Sequence, residues 1–126
     1  MKLRWWKTAD EMATAFEEKF PAQWDDVFLS ECGLDHSAEA IRVGLAVRRS
    51  VAEYGMVSAV HIYADHSLPG ELQHISGWDS VDFVSWIILL EEELGEPVDS
   101  RWFDQLRIPY TVRDFAQAVY NNRQTA

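Results

Sequence analysis

The sequence predicts an all-α protein built from several short helices. Apolar residues recur at intervals of three and four over most of the chain, as the buried face of a helix requires. Glycine or proline follows most of these runs, where helices are expected to end. No segment alternates apolar and polar residues for long enough to predict a strand. The chain has 126 residues, 48% of them hydrophobic, so one small bundle with a single core is expected.

The N-terminal part predicts two helices. Thr8 and Glu11 have the spacing of a capping box, and apolar side chains follow at helical intervals as far as Phe20. Pro21 disfavours a helical residue before it, so the first helix is expected to end there. A short second helix is expected over residues 23–31.

The longest helix is expected over residues 37–54, with Gly55 as its C-cap residue. Residues 56–78 then form a long connection that Pro69-Gly70 interrupts. Connections of this length inside a compact domain are usually functional or disordered. We therefore expect the segment that follows this connection to be informative about function.

The strongest helix is expected over residues 79–94, because Asp79 or Ser80 suits its N-cap and Gly95 its end. A short helix is expected over residues 100–106. Thr111 opens the last helix. This helix is expected to fray at Asn121-Asn122.

Charge and cysteine content narrow the classes of function. The net charge is −10, and residues 63–106 alone carry −9. A segment this acidic repels phosphate backbones, which disfavours nucleic-acid binding. It attracts basic protein surfaces. A role in solubility alone explains the charge equally well. The single cysteine, Cys32, excludes an internal disulfide and suits a reducing compartment. With no apolar run of membrane-spanning length and no signal-peptide pattern, a cytoplasmic location is expected.

Residues 77–94 carry the most specific pattern in the chain, Gly-Trp-Asp-Ser-Val-Asp-Phe-Val-Ser-Trp-Ile-Ile-Leu-Leu-Glu-Glu-Glu-Leu. This run resembles the signature of the acyl carrier proteins, in which a glycine precedes Asp-Ser-Leu-Asp and a helix rich in valine, leucine and glutamate. Pro97-Val98-Asp99 resembles the break before that family's short third helix. The sequence departs from the family at Val81, where leucine is usual, and at Trp78, where a small or aliphatic residue is common.

The resemblance implies an acyl-carrier-like four-helix bundle over residues 37–122. Residues 1–36 have no counterpart in the minimal carrier domain and are expected to form an extra N-terminal helical extension. About three residues are inserted within 107–110, and residues 123–126 are expected to be a C-terminal tail. These departures point to a specialised or divergent carrier.

The resemblance also assigns a site. It implies that Ser80 is the attachment point of a covalent 4′-phosphopantetheine cofactor, with Asp79 and Asp82 as flanking recognition residues for a phosphopantetheinyl transferase. A serine at the first turn of a helix presents its hydroxyl to solvent, and the positive helix end favours the attached phosphate. Partner-binding residues are expected along the same helix, and they are Val81, Val84, Ile88, Glu91 and Glu92. The opposite side is expected to be core and holds Trp86, Ile87, Leu90 and Leu94.

Three functions follow from these residues. The first is a carrier that holds an acyl-type group as a thioester and presents it to acyl-transferring or acyl-modifying enzymes with basic docking surfaces. The second is a carrier-like bundle that is not modified and works as a protein-binding adaptor. The third, a serine hydrolase, is disfavoured because Ser80 lacks the Gly-x-Ser-x-Gly elbow. The four histidines have no metal-ligand spacing, so neither a metal site nor a catalytic residue is expected.

Overall fold

The computed structural model describes residues 9–76 and 82–125. Helices dominate this part of the chain, which confirms the all-α prediction. The α-helices are α1 (Ala9–Lys19), α2 (Asp25–Cys32), α3 (Ala38–Gly55), α4 (Gln73–Ser76), α5 (Phe83–Leu94) and α6 (Val112–Thr125). The shorter elements are 3₁₀ helices at Ala59–His61 and Ser100–Phe103 and two antiparallel strands, β1 (Ser67–Leu68) and β2 (Tyr110–Thr111).

Helix α3 is the centre of the bundle and packs against both α5 and α6. Its first turn is capped by Ser37, whose hydroxyl oxygen accepts a hydrogen bond from the N–H of Ala40 at 3.0 Å. The buried side chains of the three helices form one cluster that includes Val43, Val47, Val51, Trp86, Leu90, Phe115 and Val119. The sequence pattern that predicted these helices therefore also supplied their core.

The end of α3 differs from the prediction. Met56, and not Gly55, is the C-cap residue, with a left-handed φ of 60°. Gly55 is the last helical residue and is buried against Ile75, where an added Cβ would lie 2.4 Å from Cγ2. Glycine is needed at position 55 because Ile75 of α4 lies close to the backbone there. A contact with a residue far along the chain therefore determines why this position is glycine.

The described part of the N-terminal extension shares the core of the bundle. Phe16 of α1 and Phe28 and Cys32 of α2 are buried in the same cluster as the side chains of α3. Arg48 of α3 reaches back to this part, donating to the carbonyl oxygen of Gln23 at 2.8 Å. Helices α1 and α2 therefore contribute to one common core, while a boundary at residues 36 and 37 stays a prediction.

The long connection after α3 is mostly ordered by short elements. β1 pairs with β2 in the register Ser67 to Thr111 and Leu68 to Tyr110. Just before β1, the carbonyl oxygen of His66 accepts from the N–H of Val112 at 3.0 Å. This bond satisfies a backbone donor at the start of α6 that the helix itself leaves unpaired. The strands were not predicted because two residues are too few to show an alternating pattern.

Helix α6 begins as predicted and ends later. Thr111 and Asp114 form a reciprocal capping box, each side chain accepting from the other's backbone N–H at 3.0 Å. The helix runs past Asn121-Asn122 to Thr125, so residues 123–125 belong to it and are not a tail. Arg123 explains the difference, because its guanidinium pairs with Glu39 and Glu96.

Candidate functional site

The start of α5 is where the sequence places the site. Asp79, Ser80 and Val81 lie outside the described residues, so the attachment point, its recognition by a transferase and the predicted helix start stay predictions. Asp82 is the N-cap residue of α5. Ser80 precedes Phe83 by three residues, and three residues of chain span at most about 11 Å. The surroundings of Phe83 are therefore the surroundings that matter for Ser80.

Two apolar side chains of α5 point to solvent. Val84 is 64% exposed and Ile88 is 55% exposed, and their spacing of four residues puts them on one helix face. Glu92, four residues further, is also exposed. The opposite face is buried and consists of Trp86, Ile87, Leu90 and Leu94. The helix thus divides along the line that the sequence predicts, whereas partner binding by the exposed face stays a prediction.

The acidic end of α5 is partly used inside the molecule. Glu91 accepts a hydrogen bond from the backbone N–H of Val98 at 2.8 Å, which holds the chain as it leaves the helix. Glu93 forms an ion pair with Arg49 of α3 at 2.7 Å. Glu91 and Glu92 are the two glutamates predicted to bind partners. Glu92 is exposed, whereas Glu91 is engaged by its hydrogen bond with Val98.

A cleft of about 590 Å³ opens at the start of α5. Its walls come from α5, from the segment around the second 3₁₀ helix and from the strand pair. The lining side chains are mainly apolar and include Phe83, Val84, Phe103, Leu106, Leu68 and Tyr110. The volume falls in the range of small-molecule pockets, about 300–1,000 Å³. The cleft can therefore enclose an organic group.

Local hydrogen bonds fix the walls of the cleft. The pairing of β1 with β2 sets Leu68 beside Tyr110. The 3₁₀ helix that carries Phe103 is capped by Asp99, whose carboxylate accepts from the backbone N–H of Arg101 at 2.9 Å. The guanidinium of Arg101 also pairs with this carboxylate, and together these contacts lower the pKa of Asp99 to about 2. The cap therefore stays charged at any moderate pH.

His66 is a buried polar group that no sequence signal identified. Its Nδ1 accepts from the backbone N–H of Tyr63 at 3.0 Å, and Nε2 is buried with no hydrogen-bond partner within the described ranges. The rings of Phe16 and Phe20 pack against it at 5.1 and 4.3 Å between centroids. Burial lowers the pKa of His66 to about 4. The imidazole is therefore neutral near pH 7.

Arg48 is a second buried polar residue, and its hydrogen bonds and ion pair link separate segments of the fold. Its guanidinium donates to the carbonyl oxygens of Ile62, Val60 and Gln23 and pairs with Asp25 at 2.7 Å. These bonds tie α2 and the connection after α3 to the bundle. The histidine, cysteine and acidic side chains that the structure describes form no group of three or more suited to a metal ion.

No protein-family model matches the sequence, and no curated protein or solved structure matches it either. None of the helices in the described part is long and apolar enough to cross a membrane. The residues and geometry around α5 are therefore the basis for assigning a function.

Proposed function

We propose that this chain is a carrier protein, which holds an acyl-type group on a 4′-phosphopantetheine arm at Ser80 and presents it to partner enzymes. In this proposal α3, α5, the second 3₁₀ helix and α6 are the four helices of an acyl-carrier-like bundle. The observation that carries the proposal is the position of the apolar cleft, which begins at Phe83, three residues after Ser80. An arm on that serine starts close enough for its cargo to enter the cleft.

The mechanism is one of position. A flexible arm keeps the bound group near each docked active site and so raises its effective concentration there. The cleft shelters the apolar part of the group between encounters. The chain itself makes and breaks no bond in this proposal, and the chemistry belongs to the partner enzymes.

Docking would use the exposed face of α5. Val84 and Ile88 supply apolar contact area, and Glu92 adds charge within a segment of net charge −9. An acidic surface of this kind accelerates the approach of a basic partner. The expected partners are a phosphopantetheinyl transferase and acyl-transferring or acyl-modifying enzymes. A reducing, cytoplasmic setting is part of the proposal, because the chain has one cysteine.

Intact mass after co-expression with a broad-specificity phosphopantetheinyl transferase tests the proposal. Wild type should gain the mass of one phosphopantetheinyl group, and Ser80→Ala should gain none. Ser85→Ala is the matched control, because Ser85 is exposed on the same helix and should leave the gain intact. An unchanged wild-type mass, or an equal gain on Ser80→Ala, contradicts the proposal.

The docking face has its own test. Ile88→Glu should slow the transfer of the arm about tenfold, since the loss of a central interface contact costs more than about 1 kcal/mol. Ile41→Glu is the control, because Ile41 is also partly exposed but lies on α3. Equal rates for wild type and Ile88→Glu would assign docking to another surface.

The alternative is a protein-binding adaptor that carries no arm. A second apolar surface at the start of α2 favours it, since the N-cap residue Trp24 is 79% exposed and Val27 lies one turn further. An adaptor keeps its mass in the presence of the transferase. It also keeps a defined partner in pull-downs with Ser80→Ala, and Trp24→Ala weakens that capture.

A further inference from the structure

An exposed apolar side chain shares the cleft with α5. Ile108, between the second 3₁₀ helix and β2, is 68% exposed. It lines the same cleft as Val84, which is 64% exposed at the start of α5. Ile88, one turn beyond Val84, is the third exposed apolar side chain. Single exposed apolar residues are ordinary, but Val84 links the other two into one patch, and a patch is typical of an interaction surface.

Hydrogen bonds hold the segment that carries Ile108 at both ends. Before it, the N–H of Leu106 donates to the carbonyl oxygen of Phe103 at 3.1 Å. After it, Tyr110 pairs with Leu68 in the two-stranded sheet. Three residues lie between these anchors, so the position of Ile108 is restricted. A contact residue that is already ordered loses less conformational entropy when a partner binds.

Acidic side chains flank this patch. Asp104 is exposed and lines the cleft, and Glu92 is exposed on α5, one turn beyond Ile88. Both lie in the segment of net charge −9. An apolar patch beside carboxylates is complementary to a protein surface with an apolar centre and basic surroundings. The same charges repel an anionic membrane and the same face of a second copy of this chain.

The patch also lies where an enzyme that acts on Ser80 has to approach. Ser80 precedes Phe83 by three residues, and Phe83 and Ile108 line the same cleft. A transferase must cover the start of α5 to reach the serine hydroxyl, so its surface comes close to the mouth of the cleft. Contact with Ile108 would then add buried apolar area to the interface, which stabilises it.

From these observations we propose that Ile108 is a docking residue for the phosphopantetheinyl transferase, and that the docking surface continues from Val84 and Ile88 past the mouth of the cleft to Ile108. The partner surface is apolar at its centre and basic at its edge. This inference rests on the proposed carrier function, because the transferase docks here in order to modify Ser80. It extends the docking surface from one helix face to a second segment, in which the sequence departs from the carrier pattern.

Steady-state kinetics of a broad-specificity transferase test the inference on the full chain. Coenzyme A without an acyl group is the donor, so cargo binding in the cleft does not enter the measurement. Ile108→Ser should raise the KM for the carrier about fivefold and leave kcat near its wild-type value, because a lost docking contact weakens binding and not the chemical step. Ile41→Ser is the matched control, because Ile41 is a partly exposed isoleucine of α3. It should leave both constants unchanged.

Arg107→Ala separates the apolar contact from the conformation of the segment. Arg107 is exposed and adjacent to Ile108, and the removal of its positive charge should not slow the approach of a basic partner. The KM of this variant should be unchanged or lower. A rise in KM equal to that of Ile108→Ser would show that any change in the segment has this effect, and it would overturn the inference. Circular dichroism checks that each variant is folded.

A competition experiment measures docking without the reaction. Ser80→Ala lacks the hydroxyl that is modified, so it should inhibit transfer to wild type by occupying the transferase. The double variant with Ser80→Ala and Ile108→Ser should need a concentration about fivefold higher for the same inhibition. Equal inhibition by the two proteins would overturn the inference.

The two proposals fail in different ways. A wild-type mass that does not change with the transferase contradicts the carrier function, and the docking inference with it. If wild type is modified but the KM is equal for wild type and Ile108→Ser, the carrier function stands and only the docking role of Ile108 is overturned.

Discussion

The indole N–H of Trp86 donates a hydrogen bond of 2.8 Å to the hydroxyl of Ser50, and both side chains are fully buried. The hydroxyl of Ser50 in turn donates to the carbonyl oxygen of Val47 at 2.9 Å. This chain of bonds joins α5 to α3 through the middle of the core. It also fixes the orientation of the largest fully buried side chain, against which the rings of Phe83, Phe103 and Phe115 pack.

Ser50→Ala is expected to lower the free energy of unfolding by about 1–3 kcal/mol. The change removes the hydroxyl that accepts from the indole N–H, and the loss of this buried hydrogen bond outweighs the gain in helix propensity. Urea unfolding followed by fluorescence measures it. Ser30→Ala on α2 is the matched control, because Ser30 is exposed in a helix and should change stability by less than about 0.5 kcal/mol. Equal midpoints for the two variants would contradict the role of the bond.

Arg48→Met is expected to destabilise the fold by about 3 kcal/mol or more. The change leaves the buried carbonyl oxygen of Ile62 without its donor and weakens the bonding of two more carbonyls. Its partner Asp25 is 59% exposed, so Asp25→Asn should cost only about 1 kcal/mol or less. Chemical unfolding of both variants gives the comparison.

The neighbouring arginine is the control for this experiment. Arg49 pairs with Glu93 at the surface, so Arg49→Met should change the free energy of unfolding by no more than about 1 kcal/mol. If Arg48→Met and Arg49→Met have similar effects, the buried hydrogen bonds of Arg48 are not a major contribution to stability.

Stability should fall as the pH is lowered from 6.5 toward 4, because of His66. Burial lowers the pKa of His66 from 6.5 to about 4. In this pH range the imidazole is therefore protonated in the unfolded chain and neutral in the folded chain. Proton uptake therefore favours unfolding, by up to about 1.4 kcal/mol per pH unit and about 3 kcal/mol in all. Urea titrations at several pH values measure the slope.

The window from pH 6.5 to 5 isolates this effect. Contacts with arginines lower the pKa values of Glu39, Glu96 and Asp99, so the stability from these carboxylates is lost mainly at lower pH. His66→Asn keeps an acceptor for the N–H of Tyr63 and should flatten the slope. His74→Asn, at an exposed position, should keep the wild-type slope. A slope that survives His66→Asn would assign the pH dependence to other groups.

Met56→Gly is expected to stabilise the protein by about 0.5–1 kcal/mol. Met56 has a φ of 60° and is 62% exposed, so glycine removes backbone strain and loses little packing. Gly95→Ala gives the reverse test at the end of α5, where φ is 74° and an added Cβ meets no atom within 4 Å. It should destabilise by about 1 kcal/mol. The midpoint of thermal unfolding should rise for Met56→Gly and fall for Gly95→Ala.

The longer helices were predictable because the sequence signals that mark their ends are local. Ser37 and Gly95 mark the start of α3 and the end of α5, and the capping box of Thr111 with Asp114 marks the start of α6. Each of these signals acts within one turn of the residue that carries it. The predicted C-cap of α3 was wrong by one residue. Gly55 is glycine because Ile75, twenty residues further along the chain, packs against its backbone.

The candidate site was predictable only in part. The resemblance of residues 77–94 to the carrier signature selected the helix and separated Val84 and Ile88 from the buried face, whereas apolar spacing could not, because apolar residues occur nearly all the way round this helix. The cleft was not predicted, because its walls come from segments that are adjacent only after β1 pairs with β2. His66 and Arg48 were also missed as buried groups, since polar residues give no local sign that distant segments will cover them.

By itself, the sequence determined where the longer helices of this protein lie, and it placed Ser80 just before a segment that resembles the carrier signature. Only the tertiary structure decided that α1 and α2 share the core, that Arg48 and His66 are buried, and that side chains from separate segments line one cleft. The physical reason is the range of the interactions. Caps and helical periodicity act over one or two turns, whereas burial and cavities depend on residues separated by tens of positions.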